Sequence, residues 1–240
     1  MQNILFHLVT RLVRLVFEIT CRIDKSQLHK VPQTGPLVLL SNHINFLEAP
    51  VIYTQLYPRN MTGLAKIESW ENPVLRVLFN LWDIIPIERG TVDNQAFDLM
   101  RKALGEGKIL AVAPEGTRSK DGKLQRGYPG IALLNARVKA PMLPVVHYGG
   151  ESYWPNLKKF RRTDFHIVVG TPFTIDFNGQ ALNRDILRQV TDETMYQMAA
   201  LLPSDYRGYY SDLSQATETY LRFEPGAVSN LAQARQTPSN

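Results

Sequence analysis

In "SNHINFLEAP", His43 and Glu48 stand with four residues between them. An imidazole can take a proton from an alcohol when one ring nitrogen is free and the other is held as N–H. A carboxylate can do that holding, and it steadies the ring once the ring is charged. A turn histidine with no catalytic task shows the same spacing, so the pair alone leaves both readings open. Farther along, "APEGTRS" sets Glu115, Gly116, Thr117, Arg118 and Ser119 directly after an apolar run. Gly116 permits positive φ or close backbone approach, Arg118 offers a planar fork suited to phosphate, and Thr117 and Ser119 add hydroxyl groups. Glu115 cannot bind an anion, but it could orient an arginine or accept from a substrate hydroxyl. Lys66 and Arg89, each at the end of its own apolar run, would add positive charge. The competing reading of the loop is a polar turn with solvated basic residues.

These groups need a scaffold that brings the ends of several apolar runs together. The runs are 36–42, 61–66, 83–89, 108–114, 141–147 and 165–170, all short and aliphatic or β-branched. Between them, 46–56, 72–82, 94–107 and 128–138 have spacing nearer 3.6, with turn formers at their ends. The alternation predicts a single α/β domain with a largely parallel central sheet flanked by helices. In such sheets ligands bind beyond the carboxyl ends of the strands, which is where His43, Lys66, Arg89 and 114–119 fall. A long helix is predicted from about residue 180 to its stop at Pro203. Beyond it 204–223 is Tyr-rich and ambiguous, and 224–240 reads as a polar, frayed tail.

A length of 240 residues suits one domain with a sizeable core, and the net charge of +5 favours anionic partners without naming one. A single cysteine, Cys21, rules out an internal disulfide and a cysteine metal cluster. No G-x-S-x-G pentapeptide is present to serve a nucleophilic-serine hydrolase. The basic run "KKFRR" at 158–162 reads first as a solvated face, and otherwise as a contact for anionic lipid or an acidic carrier protein rather than for nucleic acid.

The first 22 residues place Asn3, His7, Thr10, Arg11, Arg14 and Glu18 within about a 100° arc, leaving the rest of the helix apolar. Arg11 and Arg14 at its middle argue against a spanning helix. A helix lying in a membrane interface and an ordinary packed amphipathic helix both remain, and the wide apolar arc favours the membrane.

Taken together and in order, these segments resemble the glycerolipid acyltransferase family, best known for its lysophosphatidic acid acyltransferases. "SNHINFLEAP" is similar to the family's N-H-x4-D block, "IIPIERG" to its second, "APEGTRS" to its third and "APMLPVVHYG" to its fourth. The resemblance covers roughly 30–150, and Lys66 resembles a recurrent family lysine at the phosphate site. It implies His43 as general base with Glu48 as its partner. Lys66, Arg89, Glu115, Gly116, Thr117, Arg118 and Ser119 would be acceptor-binding residues, and an amide near Val145 an oxyanion donor. Two departures stand out: Glu48 replaces the usual Asp, and the second block lacks its common Phe.

The implied reaction moves a fatty acyl group from acyl-CoA or acyl-carrier protein to the hydroxyl of lysophosphatidic acid, giving phosphatidic acid without a covalent intermediate. No cofactor, metal or nucleic acid is implied. The alternatives are another lysolipid or glycolipid acceptor, or a non-catalytic membrane lipid-binding protein. The expected organisation is a membrane-associating helix at 1–22, an acyltransferase domain at 23–202 and a partly disordered extension at 203–240. The expected location is peripheral or monotopic, on the cytoplasmic face of a membrane.

Overall fold

The computed structural model describes residues 4–88 and 93–236. Its elements in chain order are α1 (Ile4–Thr20), β1 (Cys21–Asp24), β2 (Leu37–Leu40), α2 (Glu48–Leu56), β3 (Met61–Lys66), α3 (Pro73–Leu81), β4 (Ile85–Ile87), α4 (Asn94–Gly105) and β5 (Ile109–Val112). They continue as α5 (Gly130–Val138), β6 (Met142–Tyr148), α6 (Tyr153–Lys158), β7 (Thr163–Val169), β8 (Phe173–Ile175), α7 (Arg184–Ala199), β9 (Leu221–Phe223) and α8 (Asn230–Gln236), with short 3₁₀ turns between some of them.

The sheet runs in the order β1-β7-β6-β2-β5-β3-β4. From β6 to β4 all neighbours are parallel, so their carboxyl ends open on one edge. β7 runs antiparallel to β6, and β1 joins its outer side in parallel. The central strands are buried on both faces, and alternate residues enter different cores. Leu37 and Leu39 face a core shared with α1 and α2, whereas Val38 and Leu40 face one shared with α4, α5 and α7. That two-sided burial explains the continuous apolar runs, each fully buried aliphatic contributing about 1.5–3 kcal/mol.

Helix starts follow local chemistry. The Asn72 carboxamide accepts from the Val74 and Leu75 amides ahead of Pro73, and Asp93 and Asn183 cap α4 and α7 in the same way.

α1 is not a separate unit. Phe6, Thr10 and Phe17 are buried against the domain, the Trp82 Nε1–H donates to Thr10 Oγ1 at 3.1 Å, and His7 Nδ1 lies 2.7 Å from the Tyr57 hydroxyl. Part of the polar stripe therefore turns inward. Leu5, Leu8, Leu12, Leu15, Val16 and Ile19 face outward and exposed.

The chain after Pro203 departs from expectation. It is not a loose tail over its described part, because β9 pairs with β8 and Leu231 of α8 is buried. The buried Glu193 carboxylate accepts from the Thr217 hydroxyl and the Thr219 and Tyr220 amides, tying the returning chain to α7.

Candidate active site

β2 delivers Ser41, Asn42 and His43 to the carboxyl edge of the sheet. Asn42 is fixed by a reciprocal exchange with residue 147: its amide group donates to the His147 carbonyl, its Oδ1 accepts the His147 amide, and both bonds are 2.9 Å. The His147 ring also bonds the Asn42 carbonyl through Nε2 at 2.8 Å and stacks on Phe165. Burial holds the His147 imidazole below its usual pKa, so it stays neutral beneath the site.

With Asn42 locked, His43 projects into the turn before α2. Its Nδ1 makes a short hydrogen bond to Glu48 Oε1, while Glu48 Oε2 accepts the Asn45 amide at 3.1 Å. Glu48 is buried and is the first residue of α2, so the N-terminal end of that helix favours its negative charge. The His43 side chain keeps 21% exposure. With Nδ1–H given to the carboxylate, Nε2 is the nitrogen left to take a proton.

Glu115 has a different task from the one expected. It is only 1% exposed, and both its oxygens are occupied: Oε1 accepts the His43 amide at 2.6 Å and Oε2 accepts the Gln125 amide at 2.8 Å. Burial pushes its carboxyl up to about 7 in spite of those two donors. It therefore braces the backbone of His43 against the returning limb of the loop.

The rest of the loop is arranged around that brace. The Ser119 amide donates to the His43 carbonyl at 2.7 Å and its hydroxyl donates to Asp121. Gly116 has φ +63°, and a Cβ there would come within 3.1 Å of the Tyr128 ring, so both its conformation and its space call for glycine. Arg118 is exposed and, among the described residues, forms no ion pair. Gly116 and Thr117 border a cavity of about 640 Å³, whose apolar wall includes Leu64, Phe97, Met100, Val112, Ile131 and Leu134.

Lys66 ends β3 on the same edge, in register with Ile87, and pairs with Glu68 at 2.8 Å. Arg89 lies outside the described residues. Val145 lies in β6 and is 0% exposed. Among the described residues no group of three His, Cys, Asp or Glu side chains could hold a metal ion.

Sequence reasoning missed a second support for the loop. The Gly127 amide donates to the Tyr210 hydroxyl at 3.1 Å, and its carbonyl accepts from Arg188 at 2.7 Å. Asp192 receives both the Tyr210 hydroxyl and the Arg188 guanidinium. Leu124 exchanges backbone bonds with Tyr206 and Tyr209. These partners lie 61 to 83 residues apart for Gly127, so no local pattern announces them.

A model described as acyltransferase matches residues 22–148, more than half of the chain. The chain belongs to the acyltransferase family. His43, Glu48, Lys66 and the 114–119 loop of this acyltransferase all fall inside the match, whereas Arg188, Asp192 and Tyr210 lie beyond it. It is 24% identical to the 1-acyl-sn-glycerol-3-phosphate acyltransferase of Bacillus subtilis over 59% of its own length and 69% of that protein. It is 29% identical to the N-acylphosphatidylethanolamine synthase of Arabidopsis thaliana, over 60% of this chain and 58% of the relative. The crystal structure of the 1-acyl-sn-glycerophosphate (LPA) acyltransferase from Thermotoga maritima shares the fold. The TM-score is 0.55 with 19% identity, covering 79% of this chain and 76% of that one.

Proposed function

We propose that the chain transfers an acyl group from a thioester, of coenzyme A or an acyl-carrier protein, to the free hydroxyl of lysophosphatidic acid. The observation that carries this reading is the His43–Glu48 pair braced through Glu115 to the loop that bears Arg118. His43 Nε2 takes the hydroxyl proton as the oxygen attacks the thioester carbonyl. The tetrahedral oxyanion collapses, the carbon–sulfur bond breaks, and the departing thiolate takes the proton from the imidazolium. The Arg118 fork holds the acceptor's phosphate, with Arg89 and Lys66 as further cations, so their contribution is mainly positioning. The apolar cavity beside Thr117 has the size and lining for a fatty acyl chain. The route requires neither a cofactor nor a metal.

The test offers lysophosphatidic acid and a phosphate-free monoacylglycerol to wild type and to Arg118→Ala, with labelled acyl-CoA. Loss of one charge-assisted contact is expected to raise KM for the phosphorylated acceptor about 10- to 100-fold. The phosphate-free acceptor should be little affected, and an equal loss with both acceptors would show that Arg118 does not hold phosphate. Glu48 in place of Asp, together with the likeness to a synthase named for an N-acylated phospholipid, supports a second reading in which the acceptor is a lipid other than lysophosphatidic acid. A higher rate on such an acceptor in the same panel would select it.

The site works at a membrane surface in this reading. No helix of the described residues is long and apolar enough to cross a bilayer, and the outward face of α1 is apolar along its length. Deleting α1 would strip Phe6 and Phe17 from the core, so the informative change is on its outer face. Leu8→Ser, Leu12→Ser and Leu15→Ser together are expected to weaken cosedimentation with phosphatidylcholine vesicles strongly while leaving the protein folded. Undiminished cosedimentation would place the anchor elsewhere.

A further inference from the structure

The turn that closes α6 is built against the preferences of its own backbone. The Phe160 amide bonds the Leu157 carbonyl and the Arg161 amide bonds the Asn156 carbonyl, the paired bonds of a Schellman helix end. In that motif the residue at Phe160 must adopt the left-handed conformation, and its φ is +52°. Glycine is the residue that meets this demand without steric cost, and an aromatic side chain meets it poorly. Burial does not compensate, because Phe160 is 100% exposed. Neither backbone preference nor core packing accounts for a phenylalanine here.

Its surroundings indicate what does. Lys158, Lys159 and Arg161 flank it, all exposed and, among the described residues, free of ion pairs. Arg162 then donates to the Glu18 carbonyl at 2.7 Å and to the Cys21 carbonyl, so the turn is fastened to the end of α1. At the other end of α6, the exposed Trp154 stacks on Phe46, which lies in the turn between His43 and Glu48. The outer face of α1, the Phe160 turn and the Trp154–Phe46 stack thus form a connected margin around the catalytic turn.

We propose that residues 158–161 form a second membrane contact, selective for anionic lipid. Phe160 inserts among the acyl chains while Lys158, Lys159 and Arg161 meet lipid phosphates. This rests on the membrane reading above and adds a lipid preference beyond that of α1, whose exposed residues are apolar apart from Arg11. Positive charge close to an anionic surface draws a turn inward, and an aromatic side chain at its tip is worth exposing only where an apolar phase receives it. The same charges would otherwise suit an acidic carrier protein, but the fully exposed aromatic at the apex, fastened to an apolar helix face, favours the bilayer.

The full chain is tested by cosedimentation with vesicles of phosphatidylcholine alone and of phosphatidylcholine mixed with phosphatidylglycerol. Replacing Lys158, Lys159 and Arg161 by Gln together is expected to weaken binding to the mixed vesicles roughly 100-fold, from about fivefold per charge. Binding to phosphatidylcholine alone should stay as in wild type. Phe160→Gly supplies the residue the backbone prefers, so it is expected to keep or raise the melting temperature and yet weaken binding to both vesicles. A purely structural Phe160 would give the opposite pattern. If wild type binds and both variants bind equally well, the turn is not a contact and the α1 reading stands. If wild type binds neither vesicle, both readings fall. Loss of transfer from acyl-carrier protein alone, with vesicle binding intact, would assign the turn to the carrier and overturn the lipid proposal.

Discussion

Replacing His43 by alanine is expected to lower turnover by about 10²–10⁴-fold. The geometry makes this group hard to substitute, because Nδ1 is committed to Glu48 and only Nε2 remains for the acceptor's proton. The fold should survive the change. Glu48 keeps the Asn45 amide and its place at the start of α2, and the backbone bonds from His43 to Glu115 and Ser119 do not involve the ring. The buried Glu48 loses one of its donors, so stability is expected to fall by about 1–3 kcal/mol. Acceptor-dependent thioester consumption and a thermal melt on the same preparation check both halves. Undiminished turnover in a folded protein would eliminate His43 as the base.

Glu115→Gln should separate bracing from binding. Glutamine carries one acceptor oxygen and one NH₂ group, so it cannot accept from both the His43 and Gln125 amides as the carboxylate does. One buried N–H is left facing a donor, at a cost of about 1–3 kcal/mol, and His43 loses its fixed position. The expected kinetic result is a fall in kcat for phosphorylated and phosphate-free acceptors alike, unlike the acceptor-specific effect of Arg118→Ala.

A pH signature accompanies this change. The folded-state value of Glu115 is about 7, above its ordinary 4.5, so the folded protein binds this proton more tightly than the unfolded chain does. That contribution is complete below about pH 4.5 and is lost as pH rises through about 7, a swing on the order of 3 kcal/mol. Urea unfolding at several pH values should show the wild type losing stability relative to Glu115→Gln across this window. Parallel profiles would mean that the carboxyl is not held as described.

What could be read from the sequence follows the range of the interactions involved. The six apolar runs all contain strands, and in the central ones, such as β2 and β6, burial on both faces leaves a continuous local signature. β1, β8 and β9 are only partly buried and carry no continuous apolar run, and β1 is held by the pairing of Cys21 to Asp24 with Thr163 to His166. The spatial order of the strands and the reversal of β7 depend on such distant pairings. In the site, His43 and Glu48 are legible because one turn joins them. Glu115 is legible as part of its loop, but its burial and its two amide partners are set by remote segments. The depth of Val145 in the sheet comes from the strands on either side of β6, a property no local stretch carries. The C-terminal segment looked loose because its polar residues, such as Asn230, are held by α7 and the chain after β7 rather than by their neighbours.

The clamp on Gly127 sets an order of events during synthesis. His43, Glu48 and Glu115 leave the ribosome early, and the acceptor loop follows soon after them. The bonds that fasten Leu124 and Gly127 need Tyr206, Tyr209 and Tyr210, which follow them by about 80 residues. A nascent chain can therefore hold every residue of the family match and still have an unfinished loop. The growing polypeptide thus completes the His43–Glu48 turn before it can fasten the loop at 124–127, and the two parts of the site mature in separate steps.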